Sequence, residues 1–519
     1  MTGRRLRYQF LSLSILLTLC SSGCGSGSNA PGNPETAIAA SGNPLVAEYQ
    51  VAVFGPATIW VEFGEDTSYG KRTSEVAATG RYGNNATVLV AGMKANTTYH
   101  MRAHVDWYLG SWVDQDQTFK TGALPDQPRA ITGGKKPLIV PGISVTRPTP
   151  NTEPSSGVEL IDIIPQEANS HLLDTFVTDL QGNIIWYYDV GAGNYSFPIR
   201  PMTNGHFLLG LMTELREIDL AGNTVRGIPA EQVNAGLQQK GYAFNVTVFH
   251  HDAIVLPNGD WVAIAQVDKN FTDLSGYPGT TDVEGDAIID IDPNGNVAWA
   301  WLAFDHLDVN RHLFGLPDWT HSNALVYTQN DGNLLLSMRN QSWILKIDYE
   351  NGSGSGDILW RLGNEGDFAL SGGDPKDWFY GQHFPSPVTI NGPQMTLAVF
   401  DDGDERFLDE NGDMCGTQGN EACFSRATIF QIDENTKTAS LDWQFSPGLY
   451  TFWGGSINQL PNGNVEFDLS EPFPQDPTSS QVMEVSQTLN PEVVWQMNIV
   501  GGNAYRAYRI PSLYPGVAW

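Results

Sequence analysis

Two patterns of apolar and polar positions divide the chain. From residue 45 to about 122, apolar and polar residues alternate over short runs, as in Ala57–Phe63 and Thr98–Val105. Such alternation is typical of strands with one buried face, so this segment predicts a small β-sandwich. Residues 123–156 carry a cluster of prolines, and we interpret them as a linker that partly lies on the next domain. From 157 to 519 the pattern repeats and defines a larger domain.

Two short segments of the first domain resemble fibronectin type III domains. Met93–Tyr99 resembles the tyrosine corner that precedes a late strand of that family, and Gln117–Gly122 resembles its last strand. The resemblance implies a positioning or adhesive domain rather than a catalytic one.

The repeat of the larger domain has two recurring parts. One is an apolar run, often with an aspartate, followed by a turn and further apolar residues that usually include a tryptophan. Its six copies begin at Thr178, Ile218, Ile291, Ile347, Ile432 and Leu489. The other part is an Asn-Gly or Asp-Gly turn before an apolar strand, which favours a tight hairpin because both central residues accept positive φ. These turns lie at 204–205, 258–259, 331–332, 391–392 and 462–463.

Each repeat therefore holds about four short strands, and a single four-stranded unit buries one face poorly and leaves its edges open. Radial stacking of the six units solves both problems. The pattern predicts an all-β protein, a six-bladed β-propeller preceded by a small β-sandwich. A tandem of β-sandwiches is the alternative, but sandwiches do not repeat an Asp-turn-Trp unit at this spacing.

Composition narrows the possible partners. The chain has 519 residues, of which 41% are hydrophobic and only 17% charged, so it is long and apolar enough for a large core and is not mostly disordered. The net charge of −30 repels polyanions and makes nucleic acid an unsuitable partner. It does not exclude a small anionic substrate, since a few cations reverse the potential inside a pocket.

The first 24 residues are typical of an export signal. Arginines precede an apolar run (Phe10–Leu19) that is too short to span a membrane stably. A small residue then precedes Cys24, and residues 25–44 begin as a Gly- and Ser-rich tether, which resembles a bacterial lipoprotein signal. We expect an exported protein of the periplasm or cell envelope, anchored to the membrane only by lipid on Cys24. Plain secretion with cleavage nearby is the alternative.

Export changes the interpretation of the remaining cysteines. Cys415 and Cys423 are separated by seven residues in a polar segment, with no histidine nearby in sequence. In an oxidising compartment such a pair predicts a local disulfide rather than a metal site.

Three histidines occupy a common place in successive repeats. His251, His321 and His383 each lie seven to ten residues before an Asn-Gly or Asp-Gly turn. Equivalent positions of successive blades are related by rotation, so these imidazoles are expected to converge on the central channel. Arg339, at the end of an apolar strand, is placed to join them. Satisfied structural polar residues are the alternative.

The chemistry of such a cluster depends on the arginine. Three histidines can bind zinc. A guanidinium among them instead suits a small oxyanion, because its planar fork pairs with sulfuryl or phosphoryl oxygens. We therefore predict no metal and no cofactor at this site.

Four stretches resemble the bacterial aryl sulfate sulfotransferases, exported six-bladed propellers that move a sulfuryl group between phenols without a nucleotide sulfate donor. The stretches are His250–Gly259, Asp318–Asn323, Leu336–Asn340 and Gly381–His383. The resemblance implies an aryl sulfate donor, a phenolic acceptor and a sulfo-histidine intermediate.

The same resemblance implies roles for individual residues. His383 would be the nucleophile that is transiently sulfated. His251, His321, Asn323 and Arg339 would bind the transferring group, and His250, which belongs to the first of these stretches, would contact the substrate. The segment Ala504–Tyr514 is similar to a closing strand of the family.

Other interpretations remain open on the residues alone. The acidic run Asp401–Arg406, continued at Asp409–Asp413, is either a Ca²⁺ site or, as we favour, a solvated acidic loop. For the whole protein, the rivals are a non-catalytic exported propeller lipoprotein that binds a ligand or another protein, and a quinoprotein dehydrogenase, although such dehydrogenases usually have eight blades.

Overall fold

The computed structural model describes residues 33–79, 84–108, 110–125, 138–164, 171–191, 195–406, 414–416, 422–473 and 479–519. The chain is nearly all-β, with 52% of it in strands, which confirms the predicted fold class at that level. One α-helix, α1 (Ala230–Lys240), occurs in the described residues, and none of their helices is long and apolar enough to cross a membrane. The predicted export signal and Cys24 lie outside the described residues.

The first nine strands form two antiparallel sheets, β1-β2-β6 and β4-β3-β7-β8, with β5 and β9 added to the second. Apolar residues of both sheets belong to one buried core. The strands are β1 (Glu35–Ala40), β2 (Ala47–Val53), β3 (Ala57–Gly64), β4 (Lys71–Arg72), β5 (Val76–Ala78), β6 (Asn84–Val90), β7 (Thr98–Trp107), β8 (Gly110–Val113) and β9 (Gln117–Lys120).

Two details of this module bear on the sequence predictions. Strand β1 begins at Glu35, so paired structure starts inside the stretch predicted to be a tether. The Tyr99 hydroxyl accepts a hydrogen bond from the backbone N–H of Lys94 at 3.0 Å, which is the local contact of a tyrosine corner. The fibronectin type III assignment and the domain boundaries stay predictions.

Part of the predicted linker pairs with the larger domain. Strand β10 (Leu138–Ile139) runs parallel to a strand at His171–Leu172, and β11 (Gly142–Thr146) forms the edge of the last sheet of the chain. Backbone donors and acceptors of the linker are satisfied in this way.

The described residues of the rest of the chain form six antiparallel sheets of four main strands each, which we number 1 to 6 in chain order. Sheet 1 has the order β15-β14-β12-β37, so the last strand of the chain completes the first sheet. Sheets 2 to 5 each take four consecutive strands, with β28 added to sheet 5, and sheet 6 takes β33 to β36 and β11.

The strands of sheets 1 to 3 are β12 (Val158–Ile164), β13 (His171–Leu172), β14 (Thr175–Thr178), β15 (Ile184–Tyr188), β16 (Ile199–Pro201), β17 (Phe207–Leu211), β18 (Glu214–Ile218), β19 (Thr224–Pro229), β20 (Phe249–Val255), β21 (Trp261–Leu274), β22 (Tyr277–Ile291) and β23 (Val297–Leu302), where β13 pairs only with β10. Those of sheets 4 to 6 are β24 (Ser322–Thr328), β25 (Asn333–Met338), β26 (Trp343–Ile347), β27 (Ile358–Leu362), β28 (Ala369–Leu370), β29 (His383–Asn391), β30 (Gln394–Asp401), β31 (Arg426–Asp433), β32 (Thr438–Phe445), β33 (Ile457–Gln459), β34 (Val465–Leu469), β35 (Ser479–Val485), β36 (Val493–Val500) and β37 (Asn503–Ile510).

The five Asn-Gly and Asp-Gly turns join the first two strands of sheets 2 to 6, as the sequence pattern predicts. The glycine of every one of these turns has positive φ, between 60° and 90°. A residue with a Cβ rarely adopts this conformation, which explains the recurrence of glycine there.

Tryptophans of the other recurring part connect neighbouring sheets. The Nε1–H of Trp186 in sheet 1 donates to the carbonyl of Leu220 in sheet 2 at 2.8 Å. Trp495 in sheet 6 donates in the same way to Leu180 in sheet 1 at 3.0 Å. Sheets 6 and 1 are also joined through β37, which packs against β34. The last sheet therefore contacts the first.

Candidate functional site

The three predicted histidines lie at the same end of neighbouring first strands. His251 is the third residue of β20 and His383 is the first residue of β29. His321 directly precedes β24. The rings of His251 and His321 are 4.4 Å apart between centroids. Both residues have positive φ, 59° and 45°, a strained conformation for residues with a Cβ that is common at functional sites.

An aromatic residue of the last strand completes this cluster. The ring of Tyr505 lies 5.7 Å from that of His251 and 6.2 Å from that of His383. It also contacts Phe197 at 4.6 Å, and Phe197 contacts His251 at 4.4 Å. The structure therefore brings His251 and His321 into direct contact and joins His383 to them through Tyr505.

Each imidazole has a different polar partner. Nδ1 of His321 is hydrogen-bonded to the carboxylate of Asp318, which is half-exposed. Nε2 of His250 lies 3.1 Å from Asp286, and its Nδ1 lies 2.7 Å from Nδ1 of His251. His250 thus connects His251 to a buried carboxylate, which the sequence did not reveal.

His383 is held by a buried carboxylate and by a backbone amide. Its Nδ1 lies 2.6 Å from Oδ2 of Asp402, and both side chains are almost completely buried. The N–H of Gly454 points at Nε2 of His383 with an N···N distance of 3.3 Å. Gly454 has a φ of +70°, and a Cβ there would lie 2.0 Å from Oγ of Ser470, so no other residue fits this approach.

Arg339 follows strand β25 and is buried beside this pair. Its Nη1 donates to Asn340 at 2.7 Å, and its Nη2 donates to the carboxylate of Asp404 and to the carbonyl of Phe452. Its Nε is buried and has no hydrogen-bond partner in the described part of the chain. Three of the five guanidinium N–H groups are therefore used within the protein, and Nε–H and one N–H of Nη1 are left.

A second buried guanidinium comes from the last strand. Arg506 donates to the carbonyl of Asn323 and lies 3.2 Å from Asp252, which also binds Arg200 through both carboxylate oxygens. Asn323 itself donates to the carbonyl of Gln382 at 2.7 Å. Asn323 is thus hydrogen-bonded to Arg506 and to the carbonyl of Gln382, and two arginines share the carboxylate of Asp252.

Burial sets the charge of the site. Loss of solvent, together with the positive charge of Arg339, holds the pKa of His383 well below its usual value, and burial beside His321 and His250 lowers the pKa of His251 in the same way. Both rings are therefore neutral at neutral pH. Burial, reinforced by the charge of Asp404, raises the pKa of Asp402 well above its usual value.

A small cavity of about 180 Å³ opens beside His251 and His321, and neither His383 nor Arg339 is among the described residues that line it. Its walls include His250, His251 and His321, the carboxylates Glu284 and Asp318, and the aromatic rings of Tyr195 and Phe197. A larger depression of about 870 Å³ lies at the other end of the same strands, near Arg200.

The acidic run is not solvated, which corrects our expectation for Asp401–Arg406. Asp401 pairs with Arg406 and Arg426, and Asp402 and Asp404 bind His383 and Arg339. Their burial requires such partners, because an unpaired charge in the interior is costly. Within the described residues no three His, Cys, Asp or Glu side chains are placed to hold a metal ion. Residues 409–413 lie outside the described residues.

The predicted disulfide between Cys415 and Cys423 is confirmed, with a Cα–Cα distance of 5.6 Å. Tyr450 packs on this bond, and its hydroxyl donates to Asp404, the partner of Arg339. The bond therefore braces the segment that holds the guanidinium.

Several residues of the site escaped the sequence analysis. For Asp402 the sequence did carry a signal. This carboxylate directly follows the apolar strand β30, and in an antiparallel hairpin the end of β30 lies beside the start of β29, where His383 is. Tyr505 and Arg506 lie in the stretch that resembles a closing strand of the family, but only the pairing of β37 with β12 brings them to the histidines.

The sequence profile described as Arylsulfotransferase (ASST) matches residues 154–509, about two thirds of the chain. The chain therefore belongs to the arylsulfotransferase family. Membership supports aryl sulfotransferase activity in general, that is, a transferase of sulfur-containing groups, and implies aryl sulfate and phenol substrates. A comparison of the sequence with curated proteins found no match.

Solved structures with some similarity are distant. A mutant of the apocarotenoid oxygenase of Synechocystis is 11% identical, with 92% of this chain and 96% of that chain covered and a TM-score of 0.31. A DUF4784 family protein from Bacteroides caccae is 10% identical, with 90% and 96% covered and a TM-score of 0.30. The WD40 domain of SCAP from fission yeast is 8% identical, with 92% and 95% covered and a TM-score of 0.25. Scores this low carry no argument about fold or function.

Proposed function

We propose that the protein transfers a sulfuryl group from an aryl sulfate to a phenol through a sulfo-histidine on His383, without a nucleotide sulfate donor. The observation that carries this proposal is the pair of neutral imidazoles, of the buried His383 and the partly buried His251, near a buried guanidinium whose Nε–H is unpartnered in the described residues. A neutral imidazole is a nucleophile, and a fixed cation stabilises charge that shifts within the sulfuryl group.

In the first half-reaction, Nε2 of His383 attacks sulfur and the phenolate leaves with the electron pair of the S–O bond. Little is needed beyond alignment and charge stabilisation, as in phosphoryl transfer. Nε–H of Arg339 and a ring N–H of His251 donate hydrogen bonds to the sulfuryl oxygens. Tyr195 and Phe197 offer flat apolar surfaces to the aromatic ring of the substrate.

In the second half-reaction, a phenolic acceptor attacks the same sulfur and Nε2 leaves. His321 is suited to accept the phenolic proton, because its Nδ1 is hydrogen-bonded to Asp318 and its ring faces the cavity. Both half-reactions take place at the same sulfur on His383, so donor and acceptor are expected to react in turn.

The test is incubation with 4-nitrophenyl sulfate and a phenol. Release of nitrophenolate that depends on acceptor, with ping-pong kinetics, supports the proposal. A burst of nitrophenolate without acceptor, equal to the enzyme concentration, reports the sulfated enzyme. No release with any phenol would refute transfer and favour a non-catalytic binding protein.

We also propose that the six sheets close into a six-bladed propeller. The shared sheet of β12 and β37 and the bond from Trp495 to Leu180 support closure. An experimental structure with another blade number would refute it.

For the first domain we propose a fibronectin type III-like sandwich, and for the whole chain export with lipid on Cys24. Incorporation of labelled palmitate and its loss in Cys24→Ser test the anchor. If Cys24→Ser associated with the membrane to the same extent as the unaltered protein, the lipid anchor would be refuted and plain secretion would stand.

A further inference from the structure

His383 differs from the other histidines of the site in how its carboxylate partner is placed. The side chain of Asp402 is fully buried, whereas that of Asp318, which binds His321, is 43% exposed. His251 contacts no carboxylate directly among the described residues and is bonded to His250 instead. The hydrogen bond to His383 is therefore more deeply buried than those of His321 to Asp318 and of His250 to Asp286, and such bonds are strongest away from water.

The contacts of the ring define its tautomer. An amide N–H can only donate, so the N–H of Gly454 beside Nε2 requires a lone pair on that nitrogen. The proton of the neutral ring is then on Nδ1, which donates to Oδ2 of Asp402 at 2.6 Å. At 3.3 Å the contact with Gly454 is long, so little is lost when Nε2 gives it up to bond to sulfur.

We propose that Asp402 is a positioning residue of sulfuryl transfer: it holds His383 in the tautomer with the proton on Nδ1 and takes up that proton when Nε2 is sulfated. This inference rests on the function proposed above and adds the residue that makes His383, rather than His251 or His321, the nucleophile.

The step balances. The Nε2–S bond forms, the bond between sulfur and the aryl oxygen breaks, and the phenolate leaves with its electron pair. The ring would become a cation, but the Nδ1 proton moves to Oδ2 of Asp402 and leaves a neutral sulfo-imidazole. When the acceptor attacks, the S–Nε2 pair returns to the ring and the proton returns to Nδ1.

The location of Asp402 makes it a good acceptor for this proton. Its Oδ1 is buried without a hydrogen-bond partner in the described residues, so the carboxylate is poorly stabilised as an anion. Burial raises its pKa well above the usual value. A proton on a sulfated imidazolium is acidic, so transfer to this carboxylate is downhill.

The test measures the sulfation step by itself. Enzyme is mixed with 4-nitrophenyl sulfate without acceptor, and the burst rate, the donor dissociation constant and the mass of the His383 peptide are recorded. Asp402→Asn is expected to slow the burst by ~10³–10⁴-fold, since an amide that turns its NH₂ to Nδ1 stabilises the wrong tautomer. Donor affinity is expected to change by less than about threefold, because the lost effect belongs to the transition state.

Two further variants distinguish a positioning role of Asp402 from a purely structural role. Asp402→Glu keeps a carboxylate and is expected to recover at least about tenfold of the lost rate. Glu217→Gln is the matched control, because Glu217 is a buried carboxylate bonded to His206 at 2.5 Å, away from the cavity of the histidines. It is expected to keep the burst rate within about twofold.

The tautomer can also be read in the unaltered protein, which keeps the test valid if Asp402→Asn does not fold. Protein labelled with ¹⁵N-histidine, with His383→Gln to assign the signal, is expected to show the proton of His383 on Nδ1. A proton on Nε2 would overturn the proposal, as would a burst in Asp402→Asn at the rate of the unaltered protein. Absence of any sulfated histidine in the unaltered protein would instead overturn the proposed function itself.

Discussion

Removal of Arg339 should slow transfer without abolishing it. Its Nη1 donates to Asn340 and its Nη2 donates to the carbonyl of Phe452, both at 2.7 Å, and Nη2 also donates to Asp404. Three of the five N–H groups are therefore used, and Nε–H is the unpartnered one that we propose for a sulfuryl oxygen. Loss of one donor to a developing charge costs about 2.7–4 kcal/mol, or 10²–10³ in kcat. Arg339→Met is therefore expected to retain between about a hundredth and a thousandth of the turnover.

The same substitution also disturbs the fold, and the assay must separate the two effects. Asp404 is 1% exposed, and loss of its cation leaves a buried carboxylate whose remaining side-chain partner in the described part of the chain is Tyr450, at a cost of about 3–5 kcal/mol. In Arg339→Met with Asp404→Asn the buried charge is removed on both sides. This double variant should regain stability in urea unfolding but not turnover.

Turnover of 4-nitrophenyl sulfate with phenol and the unfolding midpoint are measured on the same preparations. Arg226→Met serves as a control for loss of a partly buried arginine, since its guanidinium lies 4.1 Å from the ring of Trp261, away from the histidines. Recovery of full turnover together with stability in the double variant would show that Arg339 is only structural. Turnover of Arg339→Met close to that of the unaltered protein would refute the reasoning equally.

Four further outcomes are expected. His383→Ala should show no transfer. In the unaltered enzyme given donor alone, the peptide that contains His383 should gain roughly 80 Da, the mass of a sulfuryl group. An adduct on another histidine would reassign the nucleophile. Asp252→Asn should destabilise the folded protein by about 3–5 kcal/mol, because two buried guanidinium groups then lack their anion. Arg200→Met should cost less, because Asp252 and Arg506 remain as a neutral pair. The reverse order of stabilities in urea unfolding would contradict this. Replacement of Cys415 and Cys423 by serine should cost about 2–3 kcal/mol in the same measurement, and free thiols on non-reduced peptides would exclude the bond. Because burial lowers the pKa of His383, its ring stays neutral as the pH falls through 6.5. The acidic limb of the kcat/KM profile should therefore lie below pH 6.5. An acidic limb at pH 6.5 or above would contradict this prediction.

Local sequence patterns were sufficient to predict the strands of the larger domain and the turns that join them. The Asn-Gly and Asp-Gly pairs placed five hairpins, because positive φ is a property of the residues at the turn and needs no distant partner. The spacing from these turns also placed His251, His321 and His383 at matching ends of three strands. The pairing of Cys415 with Cys423 was equally local.

The chemistry of the site was decided by contacts between distant segments. Arg506 reaches Asn323 across 183 residues, because the last strand of the chain pairs into the first sheet. The acidic run looked like a solvated loop, but docking of sheet 5 against its neighbours buries Asp402 and Asp404 beside a histidine and an arginine. Burial depends on all surrounding segments together, and it is burial that keeps His383 neutral. The sequence by itself therefore determined the three histidines and Arg339 as candidates, and the tertiary structure determined their partners, among them Asp402, Tyr505 and Arg506, and their protonation.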